Sequence, residues 1–286
     1  MRTGAELTQA LVRRLDLVPT APDAFRGLTG RGEGLVFGGM LLAQAVIAAG
    51  RTVTDRLPHS LHAHFLRATR HDAPLEWSVT RERDGFGFST RRVVAMQRDR
   101  EVFAATLGFT TGVTGAELTH GDGAPAVLPP DRAPDWEDVR VQVLGDESAR
   151  RPAGAIEVRE CDPDEASPQV GRPARRRLWM RTRGPLPDDP LLHAAVVAFL
   201  SDRGFLSTAS RPHGLMWGAR LGASLDHALW WHHATRPDGW LLYASESPVS
   251  VGGRGLVLGA LYDASGQRVA SVAQEGLIKI ARRGGR

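Results

Sequence analysis

The sequence predicts an α+β protein made of two similar halves, each an apolar helix set against an antiparallel sheet. Three observations predict it. Segments VFGGMLLAQAVIAAG (36–50) and PLLHAAVVAFLS (190–201) have helical length and are apolar on nearly every face, which suits helices enclosed by other elements. Each is accompanied by β-rich runs and turn signals, the order of an α+β unit. The halves also align: LLAQAVIAAG (41–50) lies over LLHAAVVAFL (191–200) without a gap, and HSLHAHFL (59–66) lies over ASLDHALW (223–230). Self-similarity of this kind reads as a duplicated unit.

The elements follow in order. Leu7, Leu11, Val12 and Leu15 recur at helical spacing in residues 5–16. A Gly-rich loop runs to Glu33, and the helix of 36–50 carries Gly38 and Gly39 at its start. Beyond Pro58, residues 59–67, 74–83, 86–97 and 102–110 read as strands, separated by HDAP, RDG and RDR turns. Residues 111–150 break the composition, and GDGAPAVLPPDRAPD (121–135) reads as a linker. The second unit has strands at 156–159 and 177–183, the helix of 190–201, and strands at 224–232, 240–245, 255–262 and 269–280, with DASGQ as a hairpin turn. Pro248 cannot donate to a ladder and marks an edge or bend. The expected division is a unit at 1–115, a linker at 116–150 and a unit at 151–286.

Composition narrows the function. The chain has 286 residues and is 42% hydrophobic, enough for a sizeable core. Lys and Arg total 36 against 32 Asp and Glu, and Lys279 is the only lysine. No basic run interleaves with aromatics, so no nucleic acid partner is expected. Cys161 is the single cysteine, which excludes an internal disulfide and fits a reducing cytoplasm. The first residues read as an amphipathic helix, not a signal peptide, and the apolar stretch 34–50 is too short for a membrane span. His62 and His64 share a strand face without a third ligand at suitable spacing, so no metal is expected. Ser224, Asp226 and His227 invite a triad reading. Adjacent strand residues point to opposite faces, so a local triad is excluded, and Asp226 reads as structural. No G-x-S-x-G elbow is present.

Several longer stretches resemble the acyl-CoA thioesterase II family: VFGGMLLAQAV (36–46), HSLHAHFLR (59–67), RDGFGFSTRRVVAMQ (83–97), SLDHALWWH (224–232), WLLYASES (240–247) and VASVAQEG (269–276). The resemblance implies a double hotdog, two antiparallel sheets each wrapped round a central helix. It implies hydrolysis of acyl-CoA to a free acid and CoA, without cofactor or metal, and a homo-oligomer. The family's Asp, Thr and Gln, which hold the attacking water, fall on Asp202 of SDRGFL, Ser224 of SLDH and Gln274 of QEG. Serine in place of threonine keeps the hydroxyl and frees its rotamer. A carboxylate at a helix C-terminus among apolar neighbours should have raised proton affinity, which suits a general base. Backbone N–H groups at Gly38 and Gly39 are candidates for the oxyanion. His59 matches a family histidine and joins the candidate substrate-binding residues; Arg91 and Arg254 are candidates for CoA phosphates. The rival readings are another hotdog acyl-CoA enzyme, a hydratase or dehydratase, and an acyl-CoA-binding protein with weak turnover.

Overall fold

Helix α1 (Gly4–Leu15) starts at Thr3 with a capping box: Glu6 N–H donates to the Thr3 hydroxyl at 3.2 Å, and Thr3 N–H donates to the Glu6 carboxylate at 2.7 Å. The computed structural model describes residues 2–30, 32, 34–112, 118–163, 169–215 and 220–280. The stretch expected as a loop after α1 holds a hairpin, β1 (Val18–Ala21) and β2 (Ala24–Gly27). Helix α2 (Gly38–Gly50) is buried from Gly39 to its end. Its one long polar side chain, Gln44, is fully satisfied: it accepts from the Trp77 indole at 3.1 Å and donates to the carbonyls of Arg14 and Leu28. Strands β3 (Leu57–Phe65), β4 (Leu75–Asp84), β5 (Phe88–Gln97) and β6 (Arg100–Thr110) complete the first half.

Residues 122–135 lie along the second half. Ala124 N–H donates to the Gly266 carbonyl and the Trp179 indole to the Leu128 carbonyl, while Ala124 and Val127 pack on Cys161, Leu242, Ala260 and Tyr262. Burial pushes the Cys161 thiol up to about 12, so it stays protonated at neutral pH. Helix α3 (Trp136–Leu144), capped by Asp135, falls within the expected linker span. Then come β7 (Ile156–Glu160), β8 (Arg175–Thr182), α4 (Pro190–Ser201), α5 (Phe205–Ser210), β9 (Arg220–Ser224), β10 (Asp226–Trp231), β11 (Leu241–Val251), β12 (Arg254–Tyr262) and β13 (Arg268–Ile280). No helix among the described residues is long and apolar enough to cross a membrane.

Two separate sheets were expected; the strands instead form one antiparallel sheet in the order β1-β2-β4-β5-β6-β3-β10-β13-β12-β11-β8-β7, with β9 also on β13. The halves join where His64 pairs with Asp226, His62 with Ala228 and Ser60 with Trp230. Without that pairing β3 and β10 would each leave a row of unpaired backbone groups. The segments aligned as a repeat are thus antiparallel neighbours, as a two-fold relation between the halves requires. Helices α2 and α4 follow the same relation. Gly39, at the start of α2, abuts Phe199 near the end of α4, and Gly50, at the end of α2, abuts Leu191 near the start of α4. Pro248 sits where expected: the β11–β12 register shifts between Glu246 and Val249, just past the last β8 pair at Glu246.

Candidate active site

Asp202 is the C-cap of α4 and is only 9% exposed. The carbonyls at its own helix end repel it, but a second helix end attracts it. Helix α2 has as its N-cap Phe37, which makes no side-chain cap hydrogen bond. Its first N–H groups therefore lack an intrahelical partner, and the Gly39 N–H donates to Asp202 Oδ2 at 2.9 Å. Asp202 thus caps α2 from the other half of the chain. Glycine is required on both sides of that contact. A Cβ on Gly38 would lie 2.8 Å from Asp202 Oδ2, and one on Gly39 would collide with the Phe199 carbonyl and stand 2.5 Å from the Phe37 ring. After Asp202, Gly204 turns the chain into α5 with φ +85°, a conformation that favours glycine.

Two further polar groups converge there. The Ser224 hydroxyl donates to Asp202 Oδ1 at 3.4 Å, and the Gln274 amide donates to Ser224 Oγ at 2.7 Å. A register slip makes this meeting feasible. On β13, Ala228 pairs with Ala273 but Ser224 pairs with Gly276, one residue out of step. A one-residue slip exchanges faces, so Ser224 joins Gln274 on the inner face. The residue between the two strands, Leu225, forms this bulge; its N–H donates to the Glu275 carbonyl and its carbonyl accepts from Phe65 N–H. The alternation argument that separated Ser224 from His227 fails for the same reason. His227 is also inward and buried, with Nδ1 2.6 Å from Gln274 Oε1. Asp226 is structural, as expected: its carboxylate accepts from Glu275 N–H at 2.7 Å.

The three groups line a cavity of about 490 Å³ whose apolar walls include Leu41, Phe65, Phe205 and Leu206. Burial raises the Asp202 carboxyl to about 6, against the lowering effect of hydrogen bonds from Gln274, Gly39 and Ser224. A carboxylate of this kind accepts a proton near neutrality while remaining largely ionised.

His59 is not among them. It lines a larger cavity of about 690 Å³ with His193, Trp231 and His232, edge-on to Phe88. The two-fold relation accounts for this: the alignment sets His59 over Ala223, which lines the smaller cavity, so each half's strand start serves the opposite cavity. The larger cavity also receives the start of α4 at Pro190. There Asp189 accepts from Leu191 and Leu192 N–H groups, so α4 is self-capped. Arg91 is buried, donating to Thr52 and Asp84, and Arg254 pairs with Glu275; neither lines the smaller cavity. Among the described residues no group of three or more His, Cys, Asp or Glu is placed to hold a metal.

The fold is a hotdog: a protein of that description from Alicyclobacillus acidocaldarius, of unknown function, superposes with TM-score 0.73 at 19% identity, over 95% of this chain and 98% of that one. Residues 29–110 match the family described as "Acyl-CoA thioesterase N-terminal domain" and residues 157–277 the family described as "Acyl-CoA thioesterase". The chain belongs to the acyl-CoA thioesterase family. Human acyl-coenzyme A thioesterase 8 is 33% identical over 280 residues, 93% of this chain and 88% of that protein. Acyl-CoA thioesterase 2 of Haemophilus influenzae is 32% identical over 86% of this chain and 88% of its own length. The crystal structure of acyl-CoA thioesterase II TesB2 from Mycobacterium marinum superposes with TM-score 0.80 at 34% identity, covering 97% of this chain and all of that one (100%).

Proposed function

We propose that this protein hydrolyses acyl-CoA thioesters to a carboxylic acid and CoA by direct attack of water. The observation that carries this reading is the convergence of Asp202, Ser224 and Gln274 in one largely apolar cavity at the N-terminus of α2. Asp202 takes a proton from water as the water oxygen bonds to the thioester carbonyl carbon, and the carbonyl π electrons move onto its oxygen. Ser224 and Gln274 orient the water, which makes the encounter effectively intramolecular. The resulting oxyanion is stabilised by the start of α2, where Gly38 N–H has no intrahelical partner and the helix dipole is positive. Collapse reforms the C=O bond and breaks the C–S bond, and the leaving thiolate takes the proton from Asp202. The apolar walls provide room for the acyl chain. In this reading each half of the sheet curves round its own helix, α2 or α4, so that the cavity opens between the halves.

The test is free thiol release from a series of acyl-CoA chain lengths. Asp202→Ala should lower turnover by about 100-fold or more, the scale of general-base loss, while circular dichroism stays unchanged. A folded Asp202→Ala enzyme with most of its activity would refute the assignment. Crotonyl-CoA hydration without thiol release would favour the hydratase reading.

A further inference from the structure

The buried imidazole of His227 lies beside this site with no part in the chemistry described above. It stands one step beyond the Ala228–Ala273 pair in the β10–β13 ladder, facing Gln274 across the strands. Its Nδ1 is 2.6 Å from Gln274 Oε1 and its Nε2 is 2.9 Å from Ser201 Oγ. Its ring packs T-shaped on Phe205, at 5.8 Å between centroids. Burial pushes its proton affinity down to about 4, so it is neutral near pH 7 and carries one N–H.

One N–H between two polar neighbours forces a choice. If Nδ1 carries the proton, it donates to Gln274 Oε1, and the Ser201 hydroxyl donates to the bare Nε2. Gln274 then turns its NH2 toward Ser224, which accepts it and is free to donate to Asp202. If Nε2 carries the proton, it donates to Ser201, whose hydroxyl turns to the Ala198 carbonyl 2.9 Å away. The bare Nδ1 then calls for the Gln274 NH2, and the carbonyl of that amide faces Ser224. The Ser224 proton would be drawn to that carbonyl and away from Asp202, and an amide oxygen would point toward an ionised carboxylate. Charge decides between the two. An anionic Asp202 favours donors aimed at it, and the chain Ser201 to His227 to Gln274 to Ser224 to Asp202 is the arrangement that supplies them.

We infer that His227, held as the Nδ1–H tautomer by Ser201, is a positioning residue that fixes the amide of Gln274 with its NH2 toward Ser224 and the water site. It touches no substrate and acts through Gln274. The inference rests on the hydrolytic reading for its kinetic consequences, but the tautomer itself does not.

Two measurements test it. Nitrogen-15 NMR of the imidazole in the intact, substrate-free protein should show a pyrrole-type Nδ1 and a pyridine-type Nε2; the reverse pattern would overturn the inference whatever the enzyme hydrolyses. The second is a double-mutant cycle on thiol release. His227→Leu should lower kcat by about 10- to 100-fold, the scale of a misplaced catalytic contact, with KM nearly unchanged. His227→Asn, whose amide N–H reaches the place of Nδ1–H, should recover most of that loss. In a Gln274→Ala background His227→Leu should cost nothing further, because the group it orients is already gone. Fully additive losses would instead mark His227 as a packing residue and refute the inference. Should His227→Leu fail to fold, the NMR tautomer and the His227→Asn kinetics still decide. Wild-type protein that releases no thiol would sink the hydrolytic reading alone.

Discussion

Asp202 is pulled in two directions. Function needs its anion, yet burial penalises that anion. Between its ordinary value of 3.8 and its raised value of about 6, the folded protein holds a proton that the unfolded chain has released, so stability falls as pH rises through that window. The cost at neutral pH is on the order of 3 kcal/mol. His227 does the reverse. Its affinity is lowered from 6.5 to about 4, so there the unfolded chain holds the extra proton and stability rises with pH. In the wild type the two trends largely offset. Asp202→Asn removes the first. The variant should be more stable at pH 7, by on the order of 1–3 kcal/mol, and its stability should climb between pH 4 and 6.5. Thermal melts across that range check this, and no gain at pH 7 would contradict it. Activity moves with the anion: kcat/KM of the wild type should rise with pH to a plateau above about 6, which a pH profile of thiol release would show.

These residues were partly legible in the sequence. Asp202, Ser224 and Gln274 come from three separate motifs, and the structure brings all three into hydrogen-bond reach. His59 was not separable from them by motif, because a strand reveals which face a residue takes and not which end of a two-fold fold it serves. His227 was set aside on strict alternation, and the bulge at Leu225 breaks that alternation. No residue type in SLDH announces such a slip.

At the scale of elements, the close approach of α2 and α4 depends on glycine. Gly39→Ala should push the start of α2 off Phe199 and cost about 1–3 kcal/mol, as overpacking does, while stretching the hydrogen bond to Asp202. Gly38→Ala presses on the carboxylate and the Phe65 ring, so it should impair turnover more than stability. Urea midpoints beside thiol-release rates distinguish the two. Equal activity in both variants and wild type would refute the role given to this helix end. The long elements were readable because burial dictates their pattern: the helices at 36–50 and 190–201 lie where their nearly unbroken apolar runs place them, and the long strands where the β-rich runs do. The short ones were not. Hairpin β1–β2 is four residues a side, and all of β1 is exposed, so little apolar pattern distinguishes it from a loop. Helix α3 buries only Val139; its Asp135 cap and following Gly145 were its readable signals, masked by the Pro-rich segment before them.

The whole molecule is held together across its middle. The β3–β10 ladder and the α2–α4 packing join the halves independently of the connecting segment. A protease site inserted in residues 121–130 should therefore yield two fragments that co-elute in native size-exclusion chromatography and part only in denaturant. Fragments that separate in buffer would show that the covalent connection carries the assembly. The single-sheet join was not foreseeable from the repeat, which reveals that two units exist but not which edges meet.

The bond from Gly39 to Asp202 crosses that join. A shear of an ångström between the halves would leave each one folded and yet draw the acid away from the helix that steadies it. Warming should thus silence the enzyme some degrees before its ellipticity changes, and cooling should restore it, because what has come apart is an alignment and not a fold.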